Sequence, residues 1–489
     1  MAVFQYIASN LWAVVLMVFF FGASIFVHEL GHFLAARWRG MKVERFSIGF
    51  GPKIFGWIGR DGVDYRVSWI PLGGYVMLPQ MTDMGVIEGE AKTDVSKLPP
   101  VSYSSKVITL CAGAFFNILF AFALATIVWV VGQQVPVEVQ SNVVGSVPAT
   151  VETSGGKTVP NPAAAAGIKP GDSVLAVDGN SVETFTNIRE HVILGSGRDK
   201  NGNPEVTLTI KRGDAPPFPV TVSPVYVNAD GDKFRDIGIL PATKVVVAGF
   251  TTDSAAAAAG LKAGDILTRI DGNPIQTVAT VSENIARTKD KPVVIAYVRD
   301  GAPATVTITP RQGANPNTQT PAYVIGVMLA PSFTLATTHI PPWTQIAGVL
   351  TRTWSTIVSL VSPRSDIGLN NMSGPIGIGR LLIDTAKDGF ITLLMAVVLI
   401  NVSLAIFNML PIPVLDGGHI MFATIEKLRG RPLPPRLIMT TQSIFMLLLF
   451  SMILYVSFFD VRRNLPQPKP AAQQTTPAPP APPAQQAPK

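Results

Sequence analysis

Residues 11–32 read LWAVVLMVFFFGASIFVHELGH. The stretch from Leu11 to Val27 carries no charged residue, and with its flanks it has about the 20 residues that a helix needs to span a bilayer. The run ends on His28-Glu29-Leu30-Gly31-His32. Ionisable side chains are costly in lipid and usually mark function there. The sequence therefore predicts a membrane span with a polar site at its end.

The spacing His-Glu-x-x-His has a specific chemical meaning. On a helix, His28 and His32 are one turn apart and share a face, so both imidazoles can reach one metal ion. Glu29 lies about 100° around the helix from His28, close enough to act as general base in a zinc hydrolase. Histidines at a helix end can instead cap carbonyls or lie at the headgroup level. Only five histidines occur in the chain, and two fall in this spacing, which favours a catalytic site.

Composition and charge indicate a membrane protein with several units. The chain has 489 residues, 47% hydrophobic and 15% charged, and exceeds one compact domain. Apolar segments at about 8–33, 107–131, 390–410 and 437–459 predict four transmembrane helices. The loops that follow the first and third segments are rich in Lys and Arg, which favours the cytoplasm. The net charge of +7 is thus explained by topology, and no nucleic acid is expected as a partner.

This topology places the active site towards the cytoplasmic side. Both termini and the long region 133–389 are then expected on the outer side of the membrane. The lone cysteine, Cys111, excludes an internal disulfide and is expected to pack as a small apolar residue.

The loop after the first span contains two glycine-rich strand-like pieces, 46–51 (FSIGFG) and 71–76 (PLGGYV). Apolar residues alternating with glycines predict a hairpin. Two interpretations remain open: an ordinary loop hairpin, or a re-entrant hairpin beside the active site that offers its edge to a substrate strand.

The outer region contains an internal repeat. Residues 163–172 (AAAAGIKPGD) recur as 256–265 (AAAAGLKAGD), about 93 residues later, and each copy is followed by an apolar stretch and Asp-Gly. The pattern resembles circularly permuted PDZ domains of bacterial envelope proteases, which bind peptides by strand addition. We expect two α+β PDZ-like domains inserted between the second and third spans. Packing modules without a ligand are the alternative.

Two histidines do not complete a catalytic zinc site, which usually takes three protein ligands. The best third candidate is Asp416, in the segment 408–419 (NMLPIPVLDGGH), where two prolines must end the third apolar helix. A turn aspartate before two glycines is the structural alternative. His419 could coordinate instead, but we expect it to face the basic loop.

Together these motifs resemble the site-2 protease family of intramembrane zinc metalloproteases. The resemblance rests on residues 28–32 with Ala36-Arg37, on 46–51, 71–75, 373–376 (SGPI) and 408–418, and on the paired PDZ-like repeats. It implies one Zn²⁺ per chain, bound by His28, His32 and Asp416. It also implies that Glu29 activates water and that Asn408 holds the substrate or the developing oxyanion.

The resemblance also implies partners and location. Its substrates would be transmembrane segments of single-span membrane proteins of the anti-sigma-factor type, and signal peptides left in the membrane. The PDZ domains would limit substrate access and bind peptide segments, and the protein would lie in the bilayer of the bacterial inner membrane. Two rivals are a catalytically inactive, membrane-anchored PDZ scaffold and a zinc transporter. An intact Glu29 beside the metal ligands disfavours both.

The sequence divides into six parts. We expect a first membrane part at 1–132, PDZ-like domains at 133–226 and 227–315, a linker and amphipathic segment at 316–389, a second membrane part at 390–463, and a disordered Pro/Ala/Gln-rich tail at 464–489. The polar stretch 79–100 is expected to be mobile.

Overall fold

A computed structural model describes residues 10–81, 98–229, 232–314 and 321–464. The helices are α1 (Leu11–Trp38), α2 (Tyr103–Val131), α3 (Pro162–Ala165), α4 (Phe185–Leu194), α5 (Ala255–Ala258), α6 (Val278–Thr288), α7 (Pro342–Val361), α8 (Pro375–Asp388), α9 (Phe390–Asn408), α10 (Asp416–Arg429) and α11 (Pro435–Asn464). The strands are β1 (Arg45–Ile58), β2 (Asp64–Met77), β3 (Gln133–Pro136), β4 (Thr150–Glu152), β5 (Thr158–Pro160), β6 (Ser173–Val177), β7 (Asn180–Ser181), β8 (Val206–Lys211), β9 (Phe218–Val222), β10 (Val225–Ala229), β11 (Asp232–Asp236), β12 (Lys244–Phe250), β13 (Ile266–Ile270), β14 (Asn273–Pro274), β15 (Val293–Arg299), β16 (Ala302–Ile308), β17 (Arg311–Ala314), β18 (Pro321–Val324), β19 (Val327–Ser332) and β20 (Leu335–Thr338).

Four of the described helices, α1, α2, α9 and α11, are long and apolar enough to cross a membrane. The prediction of four spans is therefore confirmed. Helix α2 is central and packs along both α1 and α9. Phe20, Leu124, Leu393 and Val397 are among the buried residues of their shared core. Helix α11 stands at the side and packs mainly against α8.

The loop between α1 and α2 folds into the predicted hairpin. Residues 45–48 pair with 74–77 on one side and with 64–67 on the other, and 53–58 pair with 64–68. The segment 74–77 is thereby an edge of this small sheet. The sheet packs against α1 through β2, which brings its edge to the end of the first span.

Between α2 and α9 lie two PDZ-like units of the same design. Each contains a short helix, α3 or α5, whose preceding Asn161 or Ser254 caps it. In each unit a buried aspartate pairs with an arginine at the end of a later strand or directly after it, Asp172 with Arg212 at 2.7 Å and Asp265 with Arg299 at 2.7 Å. The repeated Gly-Asp and the later basic residue therefore form one equivalent ion pair in each copy.

The cores of the two units extend beyond their recognisable repeats. Ile237 and Ile239 belong to the core of the first unit, and Ile325 and Val327 belong to the core of the second. We therefore propose that the first unit extends past the predicted boundary at 226 and the second past that at 315, since a later segment contributes to each core.

The two units are tied to the membrane helices at both ends. Directly after α2, β3 pairs with β20 just before α7. Helices α7 and α8 then lead to the third span, α7 packing against α2 and α9 and α8 against α1, α9 and α11. The expectations of a mobile stretch at 79–100 and a disordered tail at 464–489 fall mostly on residues outside the described ranges.

Candidate metal centre

Three potential ligand atoms converge at the end of the first span. Nε2 of His28 lies 3.1 Å from Nε2 of His32, and Oδ2 of Asp416 lies 3.4 Å from each. The two imidazoles come from successive turns of α1, and the carboxylate comes from the first residue of α10. All three residues are buried or nearly so.

The spacing of these atoms fits a bound zinc ion. Metal–ligand bonds of about 2.0–2.2 Å at tetrahedral angles place two ligand atoms about 3.3–3.6 Å apart, close to the distances seen here. Oδ2 of Asp416 is buried, and no hydrogen-bond donor for it is found among the described residues. A buried carboxylate oxygen without a donor is costly, and a cation at the centre of the triangle would stabilise it.

The remaining ring nitrogen of each histidine has a partner on α2. Nδ1 of His32 lies 2.8 Å from the backbone carbonyl oxygen of Thr109, which can only accept a hydrogen bond. Nδ1 of His32 is therefore the protonated nitrogen, and the lone pair of its Nε2 faces Asp416. Such an outer partner fixes the tautomer and the orientation of a metal-binding imidazole.

The partner of His28 is the buried side chain of Asn117, whose Nδ2 lies 3.3 Å from His28 Nδ1. For Nε2 of His28 to bind a metal, Nδ1 must carry the proton and needs an acceptor. Oδ1 of Asn117 is buried and lacks a hydrogen-bond partner among the described residues. A half-turn of this amide, which exchanges its oxygen and nitrogen, provides that acceptor and removes the unpaired oxygen.

Small residues allow α2 to approach this closely. A Cβ added at Gly113 would lie 2.4 Å from Nε2 of His32 and 2.7 Å from Cε1 of His28. A Cβ added at Gly31 would lie 2.4 Å from the carbonyl oxygen of Ala112. The two helices therefore cross at a glycine from each: a larger side chain at Gly113 would displace the histidines, and one at Gly31 would collide with the backbone of α2.

The end of the third transmembrane helix and the loop after it place Asp416 beside the two histidines. Helix α9 ends at Asn408 and α10 begins at Asp416, with two prolines between them, as predicted. A Cβ added at Gly417 would lie 2.4 Å from the carbonyl oxygens of Leu410 and Met409, and one at Gly418 would lie 2.1 Å from that of Ile412. The two glycines thus let the preceding loop close over the start of α10 and hold Asp416 against the histidines.

A cavity of about 590 Å³ surrounds this centre. Glu29 lines it, and the hairpin edge forms part of its wall, since a Cβ added at Gly74 would lie 2.8 Å from Cγ of Glu29. Met446 and Leu449 of α11 close another side. The cavity residues from the hairpin are Phe50, Gly73, Gly74, Tyr75 and Val76.

All five residues singled out in the sequence thus line one cavity. His28, His32 and Asp416 form the triangle, Glu29 lies beside it, and Nδ2 of Asn408 is 3.4 Å from Nε2 of His28. The expectation that His419 faces the basic loop is wrong. His419 is buried and lines the same cavity, because it lies nearly one helical turn after Asp416.

The sequence did not predict that Thr109 and Asn117 of α2 orient the two histidines through hydrogen bonds. Nothing in the periodicity of α2 distinguishes Asn117 from the other buried residues of that helix. The only available signal was an amide in an otherwise apolar span, which needs a hydrogen-bond partner in the membrane.

Comparisons with known proteins identify the family of this chain. The model of peptidase family M50 matches residues 16–452. The chain therefore belongs to peptidase family M50, a family of zinc metalloproteases, and with its four spans it is a multi-pass membrane protease.

Individual relatives cover nearly the whole chain. The regulator of sigma-E protease RseP of Escherichia coli is 30% identical over 474 residues, which cover 92% of this chain and 99% of that protein. A candidate zinc metalloprotease of Vibrio cholerae is 29% identical over 480 residues, covering 93% and 99%. Among solved structures, a PDZ domain of an SdrC-like protein from Listeria monocytogenes is 25% identical, covers 19% of this chain and 92% of that domain, and has a TM-score of 0.16.

Proposed function

We propose that this protein cleaves the transmembrane segments of single-span membrane proteins. Membrane-anchored anti-sigma factors are the first substrate class and leftover signal peptides the second. The similarity to RseP, over almost its entire length, supports this choice of substrates. The observation that carries the proposal is the triangle of His28, His32 and Asp416 beside Glu29 in a cavity walled by membrane spans.

The roles of the residues follow from their places in the cavity. His28, His32 and Asp416 would hold the zinc ion, with one ion per chain. A bound zinc ion supplies Lewis acidity that lowers the pKa of water and polarises a carbonyl. Glu29 takes the proton from the attacking water and passes it to the leaving amine. Asn408 donates from its amide to the oxygen of the scissile carbonyl, where negative charge develops.

A peptide bond in a membrane helix is shielded by the hydrogen bonds of that helix. We propose that the edge of the small sheet, residues 74–77, supplies replacement hydrogen bonds to the substrate. An unwound substrate segment can pair with this edge and exchange its helical hydrogen bonds for strand bonds. Because Gly74 lies against Glu29, a segment on this edge would pass beside the general base.

The two PDZ-like units would restrict access from the outer side of the membrane. We place them, with both termini, on the periplasmic side of a bacterial inner membrane, and the zinc site towards the cytoplasm. A membrane protein with a bulky outer domain would then be refused until that domain had been shortened.

The test is cleavage of a single-span substrate in lipid vesicles, with zinc content measured on the same samples. Glu29→Gln should lower turnover by 10²-fold or more, because general-base catalysis contributes about 10²–10⁴-fold, while zinc content stays at one ion per chain. Glu152→Gln, at an exposed position in β4, is the matched control and should cleave normally.

The same measurement separates the rival functions. An inactive scaffold would show no cleavage even in the unaltered protein. A transporter would carry zinc across the vesicle membrane and leave the substrate whole. Near-normal turnover by Glu29→Gln would refute the assigned mechanism.

A further inference from the structure

A cleft of about 500 Å³ lies at the start of α2 and shares no lining residue with the cavity of the metal centre. Tyr103 and Lys106 of α2 form one side of it. Lys427 of α10 and Arg431, just after that helix, form the other side. Three of these four side chains are cationic, and the proposed proteolysis uses none of them.

Contacts between residues that are distant in sequence hold the cleft in shape. Oη of Tyr103 lies 3.0 Å from Oγ1 of Thr424, and Nζ of Lys106 lies 3.3 Å from Oε2 of Glu426. The other carboxylate oxygen of Glu426 accepts from the backbone amide of Leu433 at 3.0 Å, which fixes the turn after α10. Helix α10 also packs against α2. Both walls of the cleft therefore have fixed positions.

The protein does not neutralise the positive charge of this cleft. Glu426 is the one acidic residue among the described residues that line it, and Lys106 and the Leu433 amide already bind this carboxylate. Among the ion pairs of the described residues, none includes Lys427 or Arg431. Three cations and one carboxylate leave a net charge of +2. The cleft is therefore complementary to an anionic group.

The two unneutralised cations are suited to a phosphate. Nζ of Lys427 lies 4.2 Å from the centroid of the Tyr103 ring. An aromatic ring holds an ammonium group without neutralising it, so Lys427 can still donate to an anion. The guanidinium of Arg431 can donate two parallel hydrogen bonds to phosphate oxygens. The first turn of α2 contains no acidic residue, so the partial positive charge of this helix end also favours an anion.

Two simpler explanations account for only part of this pattern. Basic residues stabilise the last turn of a helix, and Lys427 and Arg429 lie in the last turn of α10. Basic loops also set the orientation of membrane spans. Neither explanation requires the Lys427 ammonium to lie on a ring of another helix, or Arg431, beyond the helix end, to line the same cleft. Arg429 has the same charge but does not line the cleft, and thus offers an internal comparison.

The apolar surface beside the cleft favours a lipid over a soluble phosphate compound. Leu428, next to Lys427, is 83% exposed, and Leu437 and Met439 near the start of α11 are exposed as well. Helices α2 and α11 are both long and apolar enough to span a membrane, so these side chains lie where a span enters the bilayer. A soluble phosphate would gain nothing from them, whereas a phospholipid brings acyl chains that can cover them.

We propose that this cleft binds the headgroup phosphate of an anionic phospholipid. The phosphate accepts hydrogen bonds from Lys427 and Arg431, and the acyl chains lie along Leu428 and the start of α11. Basic pockets between membrane helices are suited to such headgroups. The proposal rests on the proposed function only for the leaflet, which is the cytoplasmic one if the zinc site faces the cytoplasm.

Both walls of the cleft belong to helices that build the metal centre. Helix α2 contains Thr109 and Asn117, which contact the two histidines, and α10 begins with Asp416. A lipid that binds both walls holds these two helices together at the membrane surface.

The experiment counts lipids bound to delipidated full-length protein in detergent micelles, by native mass spectrometry. The probe is phosphatidylglycerol, the comparison lipid is phosphatidylcholine with the same acyl chains, and the soluble competitor is glycerol 3-phosphate. One phosphatidylglycerol per chain should bind about tenfold more tightly than phosphatidylcholine, whose choline cation is repelled by the positive cleft. Glycerol 3-phosphate should not displace the lipid, because it lacks the acyl chains.

The variants remove the cations of the cleft one at a time. Lys427→Gln and Arg431→Gln should each weaken phosphatidylglycerol binding about fivefold, and the double variant about 25-fold, which is the effect expected of one and of two cations near an anionic lipid. Arg429→Gln is the matched control, with the same charge change in the same loop, and should weaken binding less than about twofold. All three side chains are exposed, so none of these substitutions disturbs a buried core.

Four results would overturn the proposal. The first two are equal affinity for the two lipids and full binding by the double variant. The third is an equal loss in Arg429→Gln and Lys427→Gln, because the preference would then come from the general charge of the loop. The fourth is displacement by glycerol 3-phosphate, which would identify a soluble phosphate compound as the ligand. Because neither substrate nor zinc enters the measurement, failure here leaves the proposed proteolysis untouched, and an inactive protease can still bind the lipid.

Discussion

The side chain of Asn117 offers a sharp test of the proposed metal centre, because among the described residues His28 is the one proposed ligand to which it is hydrogen-bonded. Its amide lies 3.3 Å from Nδ1 of His28, and it is fully buried. If it accepts the Nδ1 proton, it fixes the imidazole with the Nε2 lone pair towards Asp416. Loss of an outer partner of a metal-binding histidine typically lowers metal affinity 10–100-fold. We therefore expect Asn117→Leu to weaken zinc binding by about 1.4–2.7 kcal/mol.

The assay is a competition titration of purified protein with a zinc chelator in detergent. Asn117→Asp should retain most of the affinity, because a carboxylate can also accept the Nδ1 proton. Asn401→Leu is the matched control, since Asn401 is equally buried in a span but donates at 2.9 Å to Ser24, away from the histidine nitrogens. It should lose stability without losing zinc affinity.

Unchanged zinc affinity in Asn117→Leu would refute the assigned role of this residue. Equal losses of zinc affinity in Asn117→Leu and Asn401→Leu would also refute it, because the effect would then come from general damage to the helix packing. The assigned role predicts that Asn117→Leu loses zinc affinity while Asn117→Asp and Asn401→Leu keep it. That result requires a hydrogen bond that residue 117 accepts from His28.

Asp416→Ala should lower both zinc content and activity, since only two ligands remain; full zinc occupancy in this variant would point to another third ligand, with buried His419 the first to test. Gly113→Ala should also empty the site, because its Cβ would lie 2.4 Å from Nε2 of His32, whereas Gly22→Ala, with open space around it, should keep its zinc. Replacing residues 139–332 by a short Gly-Ser linker keeps the bond from Val137 N to Thr334 O and should allow cleavage of substrates with bulky outer domains; a folded, zinc-loaded deletion variant that still refuses them would contradict the access filter. Asp265→Asn should destabilise the second PDZ-like unit, because hydrogen bonds from Arg299 hold the pKa of Asp265 below its usual value against the opposing effect of burial. That stabilisation is present above the unfolded pKa of about 3.9 and is lost as the pH falls below it, so thermal melts of the variant and the unaltered protein should converge at low pH.

The membrane part was predictable because its signals are local. An uncharged run of span length, two histidines one turn apart, and prolines that must end a helix each act within a few residues. The spans and the break before Asp416 therefore followed from the sequence. The convergence of α1 and α10 could be expected only through the chemistry of a zinc site, which needs a third ligand.

The PDZ-like part was harder because its folding is not local. The repeat at 163–172 and 256–265 identified two copies, but segments that contribute to each core come after the recognisable motifs. Ile237 and Ile325 lie more than sixty residues beyond the start of each repeat. Their place in the core depends on backbone bonds to Ala163 and Ala256, which no periodicity predicts.

The position of the sheet edge shows how the proposed chemistry and the fold depend on each other. Every backbone N–H and C=O of a membrane-embedded substrate must remain hydrogen-bonded, so a helix in lipid opens only if another partner accepts its exposed groups. A soluble protease can leave this task to water, but a site enclosed by α1, α2 and α9 cannot. In the proposed mechanism the edge at 74–77 would meet this requirement because Gly74 brings it against Glu29. A side chain at position 74 would hold the edge away from Glu29, and the unwound segment would then be bound where no base could act on it.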